Sequence, residues 1–205
     1  MKRHTRRAGT LGAALAGVLL LVLAACGSPS LTAPKAKDIK VDTPELVALK
    51  QKAAIEACPA ATTSNGGLPK VVLPCLGGGQ SVDLSTLTGP LLINVWSSAC
   101  EPCRKEMPAL GEFHRTYGSQ VPILGIDLED TYPGVALQQA GEWKATYPQV
   151  FDFDGKIQET KLHVPALPTF IFLSAEGKVT VVKGGLDSVA KVVAMVNEHL
   201  GTTLS

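Results

Sequence analysis

The chain has 205 residues, a formal net charge of +1 and 18% charged side chains. That length accommodates one well-packed core with appendages and is short for two ordinary enzyme domains. So even a charge balance offers no basic face to a nucleic-acid backbone, and nucleic acid is set aside as a partner.

Lys2, Arg3, Arg6 and Arg7 precede a fifteen-residue apolar run, LGAALAGVLLLVLAA. A membrane-crossing helix needs about 20 such residues, so the run suits a secretory signal better than a span. The Arg6-Arg7 pair lacks the flanks of a twin-arginine signal, which favours the general secretory route. Leu23-Ala24-Ala25-Cys26 closes the run and resembles a bacterial lipobox. That resemblance implies a signal peptide over residues 1–25, lipidation of Cys26, and a working place on the extracytoplasmic face of the cell membrane. Acyl chains hold a protein there because each buried CH₂ contributes about 0.8 kcal/mol.

Residues 26–42 are rich in Ser, Pro and Lys without an apolar period and suit a flexible tether. Residues 43–67 form an N-terminal helix and loop. Thr43 is placed to cap the helix, Pro44 suits its first position, and Leu46, Leu49, Ala53 and Ala57 share one face on the way to Cys58. The main domain is expected over residues 68–205. Two short strands flank Gly77-Gly78-Gly79, with Cys75 ending the first. PLLINVW is a buried-type strand, CEPCRKEMPALGEFHRTYG a helix kinked at Pro108, VPILGIDL a strand, GVALQQAGEWKATY a helix and QVFDFDG a short strand or loop. PTFIFLS and GKVTVVKGG are strands around Ala175-Glu176-Gly177, and a last helix turns Val189, Val192, Val193 and Val196 inward. This order is that of an α/β domain.

With Cys26 acylated, Cys58, Cys75, Cys100 and Cys103 remain, an even number in a chain that leaves the reducing cytosol. Disulfides are therefore open to both pairs. Cys100 and Cys103, two residues apart between a strand and a helix, suit a redox couple, half of a metal site or two buried thiols.

Three ordered segments decide among these: NVWSSACEPCRKEMP, VPILGID and VPALPTFIFLSAEGKV resemble the thioredoxin superfamily in its TlpA/ResA/DsbE-like extracytoplasmic branch. The resemblance implies a thioredoxin-like fold, a central mixed sheet with flanking helices, here extended by the N-terminal helix and hairpin. It implies a thiol–disulfide oxidoreductase that needs no cofactor, acts on protein thiols and disulfides and exchanges electrons with a membrane-embedded partner. Reduction of protein disulfides, such as that between the apocytochrome c thiols before haem attachment, is the favoured task. An oxidase that introduces disulfides into exported proteins is the alternative, and a lipoprotein using the scaffold only to bind is the non-enzyme reading. A peroxidase usually separates its two cysteines more widely. Ala99 departs from the aromatic residue of many relatives, which bears on local packing and the partner surface.

Cys100 opens a helix, where unsatisfied N–H groups and the helix dipole lower a thiol pKa, so it is the expected nucleophile. Cys103, one turn on, is the expected resolving thiol. Pro102 costs no helical hydrogen bond there and stiffens the turn. Glu101 beside Cys100 is expected to disfavour the thiolate and make the couple more reducing. Glu106 resembles the glutamate that the ResA-like branch keeps after its CEPC pair, which implies proton handling at the thiols. Asn94 stands where thioredoxin has a buried acid, so that acid is elsewhere or absent. Leu167-Pro168 occupies the place of the superfamily's cis-proline loop, which implies backbone exposed to a substrate segment at Leu167. Trp96 is expected to pack beside the site and is grouped with Glu101, Pro102 and Leu167 next to substrate. His114, His163 and His199 have no metal-like spacing and suit surface positions. A Cys58–Cys75 bridge would pin the extension to the domain and, in the chain-entropy model, stabilise by about 3 kcal/mol. A second redox pair is the rival reading, and a four-cysteine zinc site finds only one knuckle in the 58…75…100-103 spacing.

Overall fold

In the computed structural model residues 39–60 and 66–205 are described. The expected signal peptide, Cys26 and most of the tether lie outside them. Helix α1 (Pro44–Lys52) begins as its sequence dictates: Thr43 Oγ1 accepts the Leu46 N–H at 3.4 Å, and Pro44 takes the first position. It stops short of Cys58, with Ala54 in the left-handed region at φ 54°, and Ala57 is exposed.

Strands β1 (Val72–Leu73) and β2 (Val82–Asp83) pair antiparallel around the glycine turn. The main sheet contains β3 (Leu91–Trp96), β4 (Ile123–Leu128), β5 (Gln149–Asp152), β6 (Thr169–Leu173) and β7 (Val179–Lys183) in the order β5-β4-β3-β6-β7. β3, β4 and β5 run parallel, whereas β6 and β7 add antiparallel on the other side of β3. β3 through β6 are buried along their whole length, which explains why β3, β4 and β6 are mostly apolar, with Asn94, Asp127, Gln149, Asp152 and Thr169 as buried polar positions in the four strands. The edge strand β7 is more exposed.

The two faces of the sheet are covered differently. On one, Leu92, Trp96, Ile123 and Phe170 meet α2 (Glu101–Tyr117), α3 (Pro133–Glu142) and α4 (Val189–Leu200). On the other, Ile93, Val95, Leu124 and Ile126 are covered by the β1–β2 hairpin through Leu73 and Val82 and by the loop residues Ile157, Leu162 and Val164. Each such side chain contributes about 1.5–3 kcal/mol when taken fully out of water.

α2 runs through Pro108, which lies on its exposed side and lacks only the N–H that would reach back to Arg104. In α4 Val192 and Val196 are buried, Val193 packs against the core, and Val189 is half-buried. Two histidines depart from the surface expectation. The His114 side chain is 10% exposed, stands edge-on to Tyr147 and places Nε2 2.8 Å from Glu56 Oε1, while the His199 ring lies 4.8 Å from that of Phe172. Only His163 is exposed among the three.

Candidate active site

The central strand ends at Trp96, and Ser97-Ser98-Ala99 carries the chain to the start of α2. Cys100 is the N-cap: its Sγ accepts the Cys103 N–H at 3.2 Å, and its own N–H donates to Ser97 O at 3.0 Å. Cys100 and Cys103 are joined as a disulfide with their Cα atoms 5.3 Å apart. Cys100 is half-buried, whereas Cys103 is 1% exposed, so an incoming group meets one sulfur and not the other. Reduction would leave Cys100 Sγ against the positive end of α2, an environment that favours thiolate.

The antiparallel register sets what lies beside this turn. Val95 faces Thr169, so the segment before β6 stands next to the end of β3. There the Leu167–Pro168 peptide is cis, with Pro168 buried and Leu167 half-buried. Pro168 O accepts the Gly184 N–H at 3.0 Å, which ties this loop to the turn after β7. Glu106, one turn beyond Cys103 on α2, is buried and reaches the same turn: Oε1 accepts the N–H groups of Gly185 and Leu186. Oε2 has no partner among the described residues. Burial pushes the Glu106 carboxyl above its ordinary range, against the two backbone donors, which pull it down.

Trp96 has no exposed surface, which corrects its grouping with substrate-facing residues. Its Nε1 donates to Gln149 Oε1 at 2.9 Å and its ring meets Trp143 edge-on at 5.7 Å, so it supports the site from beneath. Gly125 makes room for this arrangement, because a Cβ there would overlap the Gln149 side chain. Glu101 and Pro102 are exposed, and the Glu101 carboxylate is paired with Arg104 at 2.6 Å and Lys105 at 3.9 Å. That pairing reduces the negative charge Glu101 presents to Cys100. Asn94 Nδ2 donates to Tyr147 Oη at 2.9 Å, and burial pushes the Tyr147 phenol up.

A buried acid does exist, on the neighbouring strand. Asp127 pairs in register with Trp96 and is fully buried, and neither carboxyl oxygen meets a donor among the described residues. Burial, reinforced by the nearby Asp130, pushes its carboxyl well above the usual range. The neutral, protonated form of Asp127 is the one this burial beside Asp130 favours. Asp130 in turn accepts the Ser98 N–H at 2.8 Å and the Tyr132 N–H at 3.1 Å, holding the turn that leads into Cys100. An acid inside the apolar run VPILGIDL is the signal that would have singled it out.

Away from this site, Cys58 and Cys75 form the second disulfide, with Cα atoms 6.0 Å apart. It joins the segment after α1 to the residue just past β1, where Cys75 makes an isolated bridge with Val150.

A five-stranded sheet of this order, with a closed Cys-x-x-Cys pair at the exit of its central strand, belongs to the thioredoxin-like class. Residues 66–182 match the AhpC/TSA family, and the chain is a member of that family. Over 104 residues it is 30% identical to the thiol-disulfide oxidoreductase ResA of Bacillus thuringiensis subsp. konkukian (strain 97-27), covering 49% of this chain and 58% of the relative. With ResA of Bacillus subtilis (strain 168) the identity is 30% over 109 residues, covering 52% and 60%. The match thus spans less than two thirds of the length of these curated relatives. Among solved structures, MTB DsbF superposes with a TM-score of 0.58 at 23% identity, covering 66% of this chain and 98% of that one. A secreted thiol-disulfide isomerase from Corynebacterium glutamicum gives 0.55 at 21% identity, covering 66% and 86%. At these identities the structural likeness is one of fold.

Proposed function

We propose that the chain is a membrane-tethered, extracytoplasmic thiol–disulfide oxidoreductase that acts on protein substrates through Cys100 and Cys103, with reduction of protein disulfides as its favoured task. The observation that carries this reading is the asymmetry of the pair: one sulfur is reachable at a helix N-terminus and the other is buried one turn on. The Cys100 thiolate attacks a substrate disulfide, one substrate sulfur leaves as a thiolate, and a mixed disulfide remains on Cys100. Cys103, deprotonated as it attacks Cys100 Sγ, then closes the protein disulfide and expels the second substrate thiolate. Glu106 takes up the Cys103 proton. Leu167 offers backbone to the bound segment. Electrons return from a membrane-embedded partner. The names of the ResA relatives support the class of reaction. An apocytochrome c disulfide, opened to its two thiols before haem attachment, is the favoured substrate, and tethering rests on the lipobox-like end of the leader at Cys26.

Oxidation of exported proteins is the second reading, favoured by Arg104 and Lys105 around Glu101. Cations near the pair stabilise thiolate and hence the reduced form, which makes a couple more oxidising. The reduction potential of Cys100–Cys103 against glutathione buffers separates the two. The reductase reading expects a value nearer thioredoxin's, about −270 mV, than that of DsbA, about −120 mV. A value at the oxidant end, with efficient oxidation of a reduced substrate, would replace it by the oxidase.

A further inference from the structure

Lys50 of α1 is 8% exposed, and its ammonium donates to Cys75 Sγ and to Gly78 O, each at 3.0 Å. Among the described residues it forms no ion pair with a carboxylate. Gly77 admits it, since a Cβ at that position would stand 2.6 Å from Lys50 Cβ. A buried cation without a counter-ion is costly, and burial lowers the Lys50 pKa accordingly. Opening the disulfide supplies the missing anion, because the sulfur in contact with Lys50 can then become a thiolate.

The partner sulfur has a different environment. Cys58 is half-buried, and its Sγ lies 3.3 Å from the Gln149 carbonyl oxygen, which can accept an S–H and repels a thiolate. Cys75 is 1% exposed. Ala57 and Pro59, on either side of Cys58 in the chain, line a groove with Leu87 and Ile123. The two ends of the bridge are thus unlike: one is reachable and suited to a neutral thiol, the other is shielded and suited to a thiolate.

We infer that Cys58–Cys75 is a second thiol–disulfide exchange site, attacked at Cys58 by a thiol and releasing Cys75 as a thiolate paired with Lys50. In the first step the attacking thiolate bonds to Cys58 Sγ, the Cys58–Cys75 bond breaks, and its electron pair leaves with Cys75 Sγ. A second thiolate then attacks the attached thiol's sulfur. Cys58 leaves, takes up one proton and faces Gln149 O, and the two thiols depart as their own disulfide. The bridge pins the extension to the hairpin while closed and frees it covalently when open. The inference rests on Lys50 and is independent of the role proposed for Cys100 and Cys103.

The test uses the full chain carrying Cys100→Ser and Cys103→Ser, so that failure of the oxidoreductase reading leaves it untouched. Glutathione is the probe. Peptide mapping of the quenched mixed disulfide should find glutathione on Cys58. The equilibrium constant for reduction should fall about tenfold or more in Lys50→Met, because a charge-assisted contact to the product is lost, and return towards the starting value in Lys50→Arg. Ultraviolet thiolate absorbance of the reduced protein at neutral pH should disappear in Lys50→Met. Glutathione on Cys75, or an equilibrium constant indifferent to Lys50→Met, would overturn the inference. The mapping needs no substitution at Lys50 and decides the case even if that variant does not fold.

Discussion

Glu106 Oε1 accepts the Leu186 N–H at 3.0 Å across the gap between α2 and the turn after β7, while Oε2 stays buried without a partner among the described residues. One oxygen is therefore anchored and the other is free to hold a proton one turn from Cys103. Glu106→Gln keeps an acceptor for Gly185 and Leu186 and removes the proton site. Resolution of a mixed disulfide should slow on the order of a hundredfold, and the pH–rate profile should lose the limb that belongs to this carboxyl. An unchanged profile with lower thermal stability would mark Glu106 as structural.

Asp127 gives a pH dependence of stability with a definite sign. Its folded pKa is raised, so its contribution to stability is fully present below the unfolded value near 3.9 and is lost as pH rises through the folded value. Asp127→Asn keeps the size of the side chain and cannot ionise. In urea unfolding at about pH 4 and about pH 8, the variant should gain stability relative to the parent at the higher pH. Parallel behaviour of the two proteins would mean that Asp127 is not held neutral.

Gly125→Ala tests the support beneath the site. A Cβ there overlaps the Gln149 side chain, whose Oε1 holds Trp96 Nε1 and whose Nε2 donates to Tyr147 O at 3.2 Å. Forcing that amide aside should cost about 1–3 kcal/mol in urea unfolding. A change below about 0.5 kcal/mol, the range of an ordinary surface substitution, would show that Gln149 moves away freely.

Local pattern made much of this fold legible. The apolar runs of β3, β4 and β6, the Thr43-Pro44 start of α1 and the turn at Gly177 all follow from short-range rules, and the helix-start position of Cys100 follows from its neighbours. What stayed hidden depends on distant partners. The burial of Trp96 and His114 is set by Gln149, Trp143 and Tyr147, far away in the chain. Lys50 looks like a solvated helix lysine until the glycine turn folds over it, and nothing local announces its contact with Cys75. The Glu101–Arg104 pairing was the opposite case: an i,i+3 relationship open to inspection, whose effect on the charge beside Cys100 emerges only with the geometry.

The exchange chemistry at Cys100 is tested most directly by trapping. Reduced Cys103→Ser protein, with Cys58–Cys75 kept closed, is incubated with an oxidised protein substrate, and the adducts are mapped by mass spectrometry. A substrate mixed disulfide on Cys100 that persists because no resolving thiol can reach it is the predicted result, with none formed by Cys100→Ser. Trapping by Cys100→Ser through Cys103, or the absence of any adduct on Cys100, would contradict it.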